Sequence, residues 1–131
     1  MKTILLFCSF ILILNGCASA QKSNDDINQK LDSKSGKEIV LVKVIDDSRC
    51  PEGVQCIWAG EVTIEVAAYE NRKLIEQVRF TINSKNNEEA KKWFVQHSSE
   101  NTATLKEISV LPYPKEGVSV KLDDYYIKLI Y

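Results

Sequence analysis

A chain of 131 residues with 17 basic and 18 acidic side chains carries a formal charge of −1 at pH 7. That balance excludes the basic field that nucleic-acid binding requires. One His and four Cys leave little material for a metal centre, and no cofactor is expected.

The chain opens MKTILLFCSFILILNGCASA. Lys2 supplies a positive start, and the run 4–14 is apolar apart from Cys8 and Ser9. A helix of that length spans roughly 16 Å, about half of a bilayer core. It therefore reads as a secretory h-region rather than a membrane span. Leu14-Asn15-Gly16-Cys17 resembles a bacterial lipobox, with Asn15 where Ala or Ser is usual. The resemblance implies removal of residues 1–16, a diacylglyceryl group on Cys17 and acylation of the new amine. Two or three acyl chains would anchor the protein durably, where one binds only marginally. Ala18, with no Asp at that position, resembles lipoproteins sent to the outer membrane. The alternative is ordinary cleavage near Ala18 or Ala20, because Ala18-Ser19-Ala20 also fits a small-residue site.

Residues 17–37 then read as the lipidated Cys and a flexible tether, since the stretch is polar, mixed in charge and nearly free of large apolar groups. Residues 38–131 read as one small β-rich domain, able to fold alone. With Cys8 lost and Cys17 lipidated, Cys50 and Cys56 remain as a pair in an oxidising compartment.

Within the domain the periodicity is mainly two. The β-branched run 39–45 predicts a strand buried on both faces or nearly so. The next loop, DDSRCPEGVQCIWAGEV over 46–62, is open to several readings. A redox pair would want C-x-x-C at a helix start, whereas here the cysteines are further apart, around Pro51 and Gly53. Zinc needs about four ligands, and only Cys50, Cys56, His97 and nearby carboxylates such as Asp46, Asp47 and Glu52 are on offer. The preferred reading is a Cys50–Cys56 disulfide that staples the loop. Closing a loop of this length is worth roughly 2–2.5 kcal/mol in chain entropy. Trp58 is expected to pack over the base of the loop and cover the sulfurs; alternatively it is an exposed binding anchor.

In 61–69, Val62, Ile64, Val66 and Ala68 alternate with polar or small residues. A turn over 70–73 leads to Val78, Phe80 and Ile82 in the same alternation, so the pair predicts a hairpin. Residues 86–97 break the pattern. Asn86 and Glu89 have capping-box spacing, Glu88 and Glu89 suit the helix dipole, and Ala90, Trp93, Phe94 and His97 share one face. Further strands are expected at 104–111, 118–122 and 125–131, the last with Tyr125, Ile127, Leu129 and Tyr131 on one side. The expected class is all-β, mainly antiparallel, with one short α-helix: a small sandwich or partly open barrel, Ig-like as one possibility.

Catalysis finds no constellation. His97 reads as a packing residue, no G-x-S-x-G elbow is present, and Asp123 and Asp124 are adjacent, so on a strand they would point apart. Two stretches read as candidate contact sites: the loop with Arg49, Val54, Ile57 and Trp58, and the stiff Pro112-Tyr113-Pro114 turn. For each the preferred reading is the plainer one, a staple for the loop and a strand connector for the turn.

Arg49-Cys50-Pro51 followed by Cys56-Ile57-Trp58-Ala59-Gly60, with Val110-Leu111-Pro112-Tyr113-Pro114 and Asp124-Tyr125-Tyr126 later, resembles small secreted or lipid-anchored bacterial proteins of unassigned activity. The resemblance spans residues 38–131, less clearly over 84–102, and implies an envelope address without a reaction. The expected function is non-catalytic binding by a lipid-anchored envelope protein, to the cell wall or an envelope protein. The alternatives are a structural accessory subunit of an envelope complex, or a thiol-redox or metal-binding envelope protein.

Overall fold

The structure, a computed structural model, describes residues 26–99 and 104–131. The stretches read as signal segment, lipobox with Cys17 and tether lie outside the described residues up to residue 25. The elements in order are β1 (Asp26–Ile27), β2 (Lys37–Asp47), β3 (Glu61–Glu70), β4 (Lys73–Asn83), α1 (Glu88–His97), β5 (Glu107–Leu111), a 3₁₀ turn (Leu122–Asp124) and β6 (Tyr126–Ile130). They form two three-stranded antiparallel sheets, β2-β3-β4 and β1-β6-β5. Neither closes into a barrel, and the architecture is the expected small β-sandwich.

Alternation builds the long sheet. Val62, Ile64, Val66 and Ala68 of β3 are all buried, with Ile82, Phe80 and Val78 of β4 opposite the first three. The hairpin turns on Asn71 and Arg72, both at positive φ (50° and 66°), the backbone that a two-residue turn with the strands' own twist requires. From the short sheet come Ile108, Val110, Ile127 and Leu129, and Tyr125 precedes β6 on the same face. Burying one such aliphatic side chain is worth about 1.5–3 kcal/mol.

Helix α1 covers the end of the long sheet near the hairpin turn. Ala90, Trp93 and Phe94 are buried, and the Trp93 ring meets Phe80 edge-on at 5.6 Å. Trp93 Nε1 donates to Glu76 Oε2 at 2.8 Å. His97 lies against the Trp93 ring at 4.5 Å, with Nδ1 bonded to the Trp93 carbonyl at 2.9 Å, so it does pack as a half-buried ring. The expected Asn86–Glu89 capping box is not formed. The helix starts one residue later, with Asn87 at the cap position and no side-chain cap bond. Asn87 instead turns its amide back to pair with both backbone groups of Asn83 (3.0 and 2.7 Å), so it acts as a strand partner for the end of β4.

Three more differences have local causes. The strand expected at 118–122 is absent: Val118 closes a turn onto Lys115 with Gly117 at φ 72°, and Asp124 closes the 3₁₀ turn onto Lys121. The strand expected over 104–111 begins at Glu107. Part of the polar stretch read as tether is built onto the domain. Asp26 and Ile27 pair with Lys128 and Ile127, Asn28 accepts from Leu41 N–H at 2.9 Å, and Asn71 exchanges bonds with Gly36. Most of these partners are backbone groups, which composition does not register.

Candidate functional site

The site begins with the irregularity of β2. The ladder with β3 slips between Leu41 and Lys43 and again between Val44 and Asp46. Each slip adds an unpaired residue to β2 and re-aims the side chains beyond it. Val42 and Ile45 are thereby turned outward and exposed, so the run is not buried on both faces throughout. The second slip places Asp47 opposite Val62, on the core side of the sheet.

There Asp47 meets Arg49, and the two side chains are about a tenth exposed (10% and 9%). Arg49 Nε donates to Asp47 Oδ1 at 2.8 Å and an NH2 proton to Oδ2 at 2.6 Å, a two-pronged pair. Its remaining donors reach the Val110 carbonyl and, at 3.3 Å, the Pro112 carbonyl. The guanidinium also lies 4.7 Å above the Tyr113 ring. From the start of β6, Tyr125 Oη donates to Asp47 Oδ2 at 3.1 Å. Burial alone would raise the Asp47 carboxyl, but bonding to Arg49 and its positive charge, with help from Tyr125, hold it below its ordinary 3.8. Burial and the Asp47 charge push the Tyr125 hydroxyl above its ordinary 10.0. One half-buried arginine thus ties β2, the end of β5 and the proline turn together.

On this base stands the loop. The β2–β3 ladder continues past the strands through Ser48 N–H to Glu61 O and Cys50 N–H to Ala59 O, both 2.9 Å. Gly60 has φ 73°, and a Cβ there would overlap the Ser48 carbonyl oxygen and come within 2.7 Å of Arg49 Cα. Only glycine allows the two arms to approach so closely. The Cys50–Cys56 disulfide is formed, with Cα atoms 5.9 Å apart. The 112–116 segment clips the loop from the side: Glu52 N–H bonds Pro114 O at 2.9 Å and Glu116 N–H bonds Glu52 O at 3.1 Å. The peptide bond between Leu111 and Pro112 is cis.

The candidate contact residues separate into two groups. Arg49 points inward, and its guanidinium is occupied by the support just described. Tyr113, beneath it, is 37% exposed. Val54, Ile57 and Trp58 point outward, at 40%, 105% and 64% exposure. Trp58 therefore does not pack over the loop base as expected; that base is held by Arg49 and the proline turn instead.

Sequence reasoning missed Tyr125 and Asp47 as supports. The closeness of Asp47 and Arg49 in the chain was the one visible hint. It also missed a groove of about 190 Å³ beside Arg49, Gly60, Ser84, Glu107 and Ser109, whose walls come from separate parts of the chain. Among the described residues, no cluster of His, Cys, Asp or Glu is placed to hold a metal ion, and no helix is long and apolar enough to cross a membrane. Comparison with known proteins finds no matching family model, no matching curated protein and no matching solved structure.

Proposed function

We propose that this chain is an exported bacterial envelope protein, lipid-anchored at Cys17 and sorted to the outer membrane, whose domain works by binding rather than by catalysis. The disulfide loop is its contact surface. One observation carries the reading: Ile57 and Trp58 stand bare on a loop that a disulfide, an inward-facing arginine and a side clip hold in one shape. Large apolar side chains exposed in this way lose hydrophobic stabilisation unless something covers them. Preorganisation lowers the entropy that a contact must offset. The acidic, basic and phenolic groups at the loop base are engaged with one another, which favours a supporting role for them over acid–base chemistry. The lipobox and the likeness of the R-C-P…C-I-W-A-G stretch to small envelope lipoproteins support the address.

The test is photocrosslinking in the native cell, with a photoreactive residue placed at Ile57 and, as control, at Thr63 on the outward face of β3. The reading predicts discrete adducts, to protein or lipid, from position 57 and none of the same kind from position 63. Identical labelling from both positions contradicts it.

A further inference from the structure

Resting on the lipid-anchored reading, one occupant of the loop surface is favoured. We infer that the loop tip, with Val54, Ile57 and Trp58, inserts into the interfacial region of the same bilayer that holds the lipid anchor.

The shape of the surface is the first argument. Ile57 shows 105% of its reference area, so it projects with no neighbours around it. Protein contact sites set their anchors in packed patches that exclude water. A lone projecting apolar tip suits a soft medium that closes around it. The side-chain types agree: Trp favours the bilayer interface, where its ring sits at headgroup level, while Ile and Val prefer the acyl side.

Charge is the second argument. The clip next to the tip carries Glu52 and Lys115 as a pair at 3.7 Å, with Glu116 alongside. With two carboxylates to one ammonium, this rim gains nothing from anionic lipid, so the contact is apolar and its attraction does not depend on salt-screened charge.

Reach is the third argument. Nine Cα steps separate Cys17 from Asp26, a span of at most about 30 Å. Asp26 pairs with Lys128, three residues along from Tyr125, and Tyr125 touches Asp47 at the loop base. At about 3.3 Å per strand residue, that offset is roughly 10 Å, the loop arm from Asp47 to Cys50 adds roughly another 10 Å in the same direction, and the crossing between the two sheets adds about 10 Å at right angles, so Cys50 stands roughly 22 Å from Asp26, still inside the extended linker's span. The linker therefore lets the tip touch the bilayer in which the anchor sits.

The experiment uses the full lipidated protein, reconstituted into phosphatidylcholine–phosphatidylethanolamine vesicles with and without bromine on the acyl chains. Flotation reports anchoring, and tryptophan emission reports insertion. The chain has two Trp, and Trp93 is buried against Phe80 and Phe94. A W58F variant therefore isolates the Trp58 signal, and the Trp93 emission serves as the check on folding.

The inference predicts that bromolipid quenches Trp58 at least twofold more than Trp93. It predicts that Trp58 is shielded from aqueous iodide, and that Ile57→Glu reverses both effects while the protein still floats. Flotation with Trp58 open to iodide and untouched by bromolipid overturns the inference and leaves the anchor standing. If position 57 then crosslinks to an envelope protein, the occupant is that protein. Failure of the parent protein, purified from membranes of the native cell without substitution, to float removes the anchor and the inference together.

Discussion

Replacing Arg49 by Ala removes one side chain from three elements at once. Asp47 is left as a carboxylate about a tenth exposed, with the Tyr125 hydroxyl and the backbone N–H of residue 49 still bonded to it but its cationic partner gone. The carbonyls of Val110 and Pro112 lose the donors that Arg49 supplies. Removing one partner of a buried ion pair costs about 3–5 kcal/mol. Because this pair retains some contact with water, the low end, about 3 kcal/mol, is the expected loss. Urea denaturation followed by Trp93 fluorescence in a W58F background reads it directly. With a urea slope of about 1.5 kcal/mol/M, the midpoint falls by roughly 2 M.

The double variant Asp47→Asn, Arg49→Met removes the stranded charge, so it should be more stable than Arg49→Ala by about 1 kcal/mol or more. A loss under about 1 kcal/mol for Arg49→Ala, or a double variant less stable than the single, refutes the reading of Arg49 as an inward-facing brace. It would place Arg49 with the solvent-facing contact residues.

Gly60→Ala meets both positive φ and the Ser48 carbonyl, and is expected to lose about 2–4 kcal/mol, seen as a lowered thermal midpoint. The Cys50→Ser, Cys56→Ser pair is expected to lose about 2–2.5 kcal/mol while keeping the sheet signal in far-ultraviolet circular dichroism. The Asp47 carboxyl sits below its ordinary 3.8 in the folded protein, so its contribution is full above that value and fades as pH falls through the lowered one. The Asp47→Asn variant should therefore show a shallower acid loss of stability than the parent in urea titrations from pH 6 to about pH 2. Ile57→Ser and Trp58→Ala, both on the bare tip, should shift stability by no more than about 0.5 kcal/mol.

How much could be read in the sequence depends on the range of each interaction. The β3–β4 hairpin was legible because its alternation and turn residues are local, and the inward face of α1 was legible because Ala90, Trp93 and Phe94 recur at helical spacing. The disulfide was legible by elimination among four cysteines. The slips in β2 were not, because a run of apolar residues looks the same with or without a bulge. Those slips decide that Asp47 faces inward and that Val42 and Ile45 do not. Arg49 is a visible feature of the loop, but its direction depends on Val110, Pro112 and Tyr113, which are far along the chain. Residues such as Asn28 and Gly36 looked like spacer because they bond through backbone groups, and side-chain composition carries no trace of that.

The central claim is that the loop is held in one shape from below while its tip stays bare. Amide hydrogen exchange on the folded protein, resolved by residue, tests this most directly. The account predicts slow exchange at Ser48, Cys50 and Glu52, whose N–H groups bond Glu61, Ala59 and Pro114, with loss of that protection in the Arg49→Ala variant. Exchange at all three amides as fast as in an unstructured chain would contradict it.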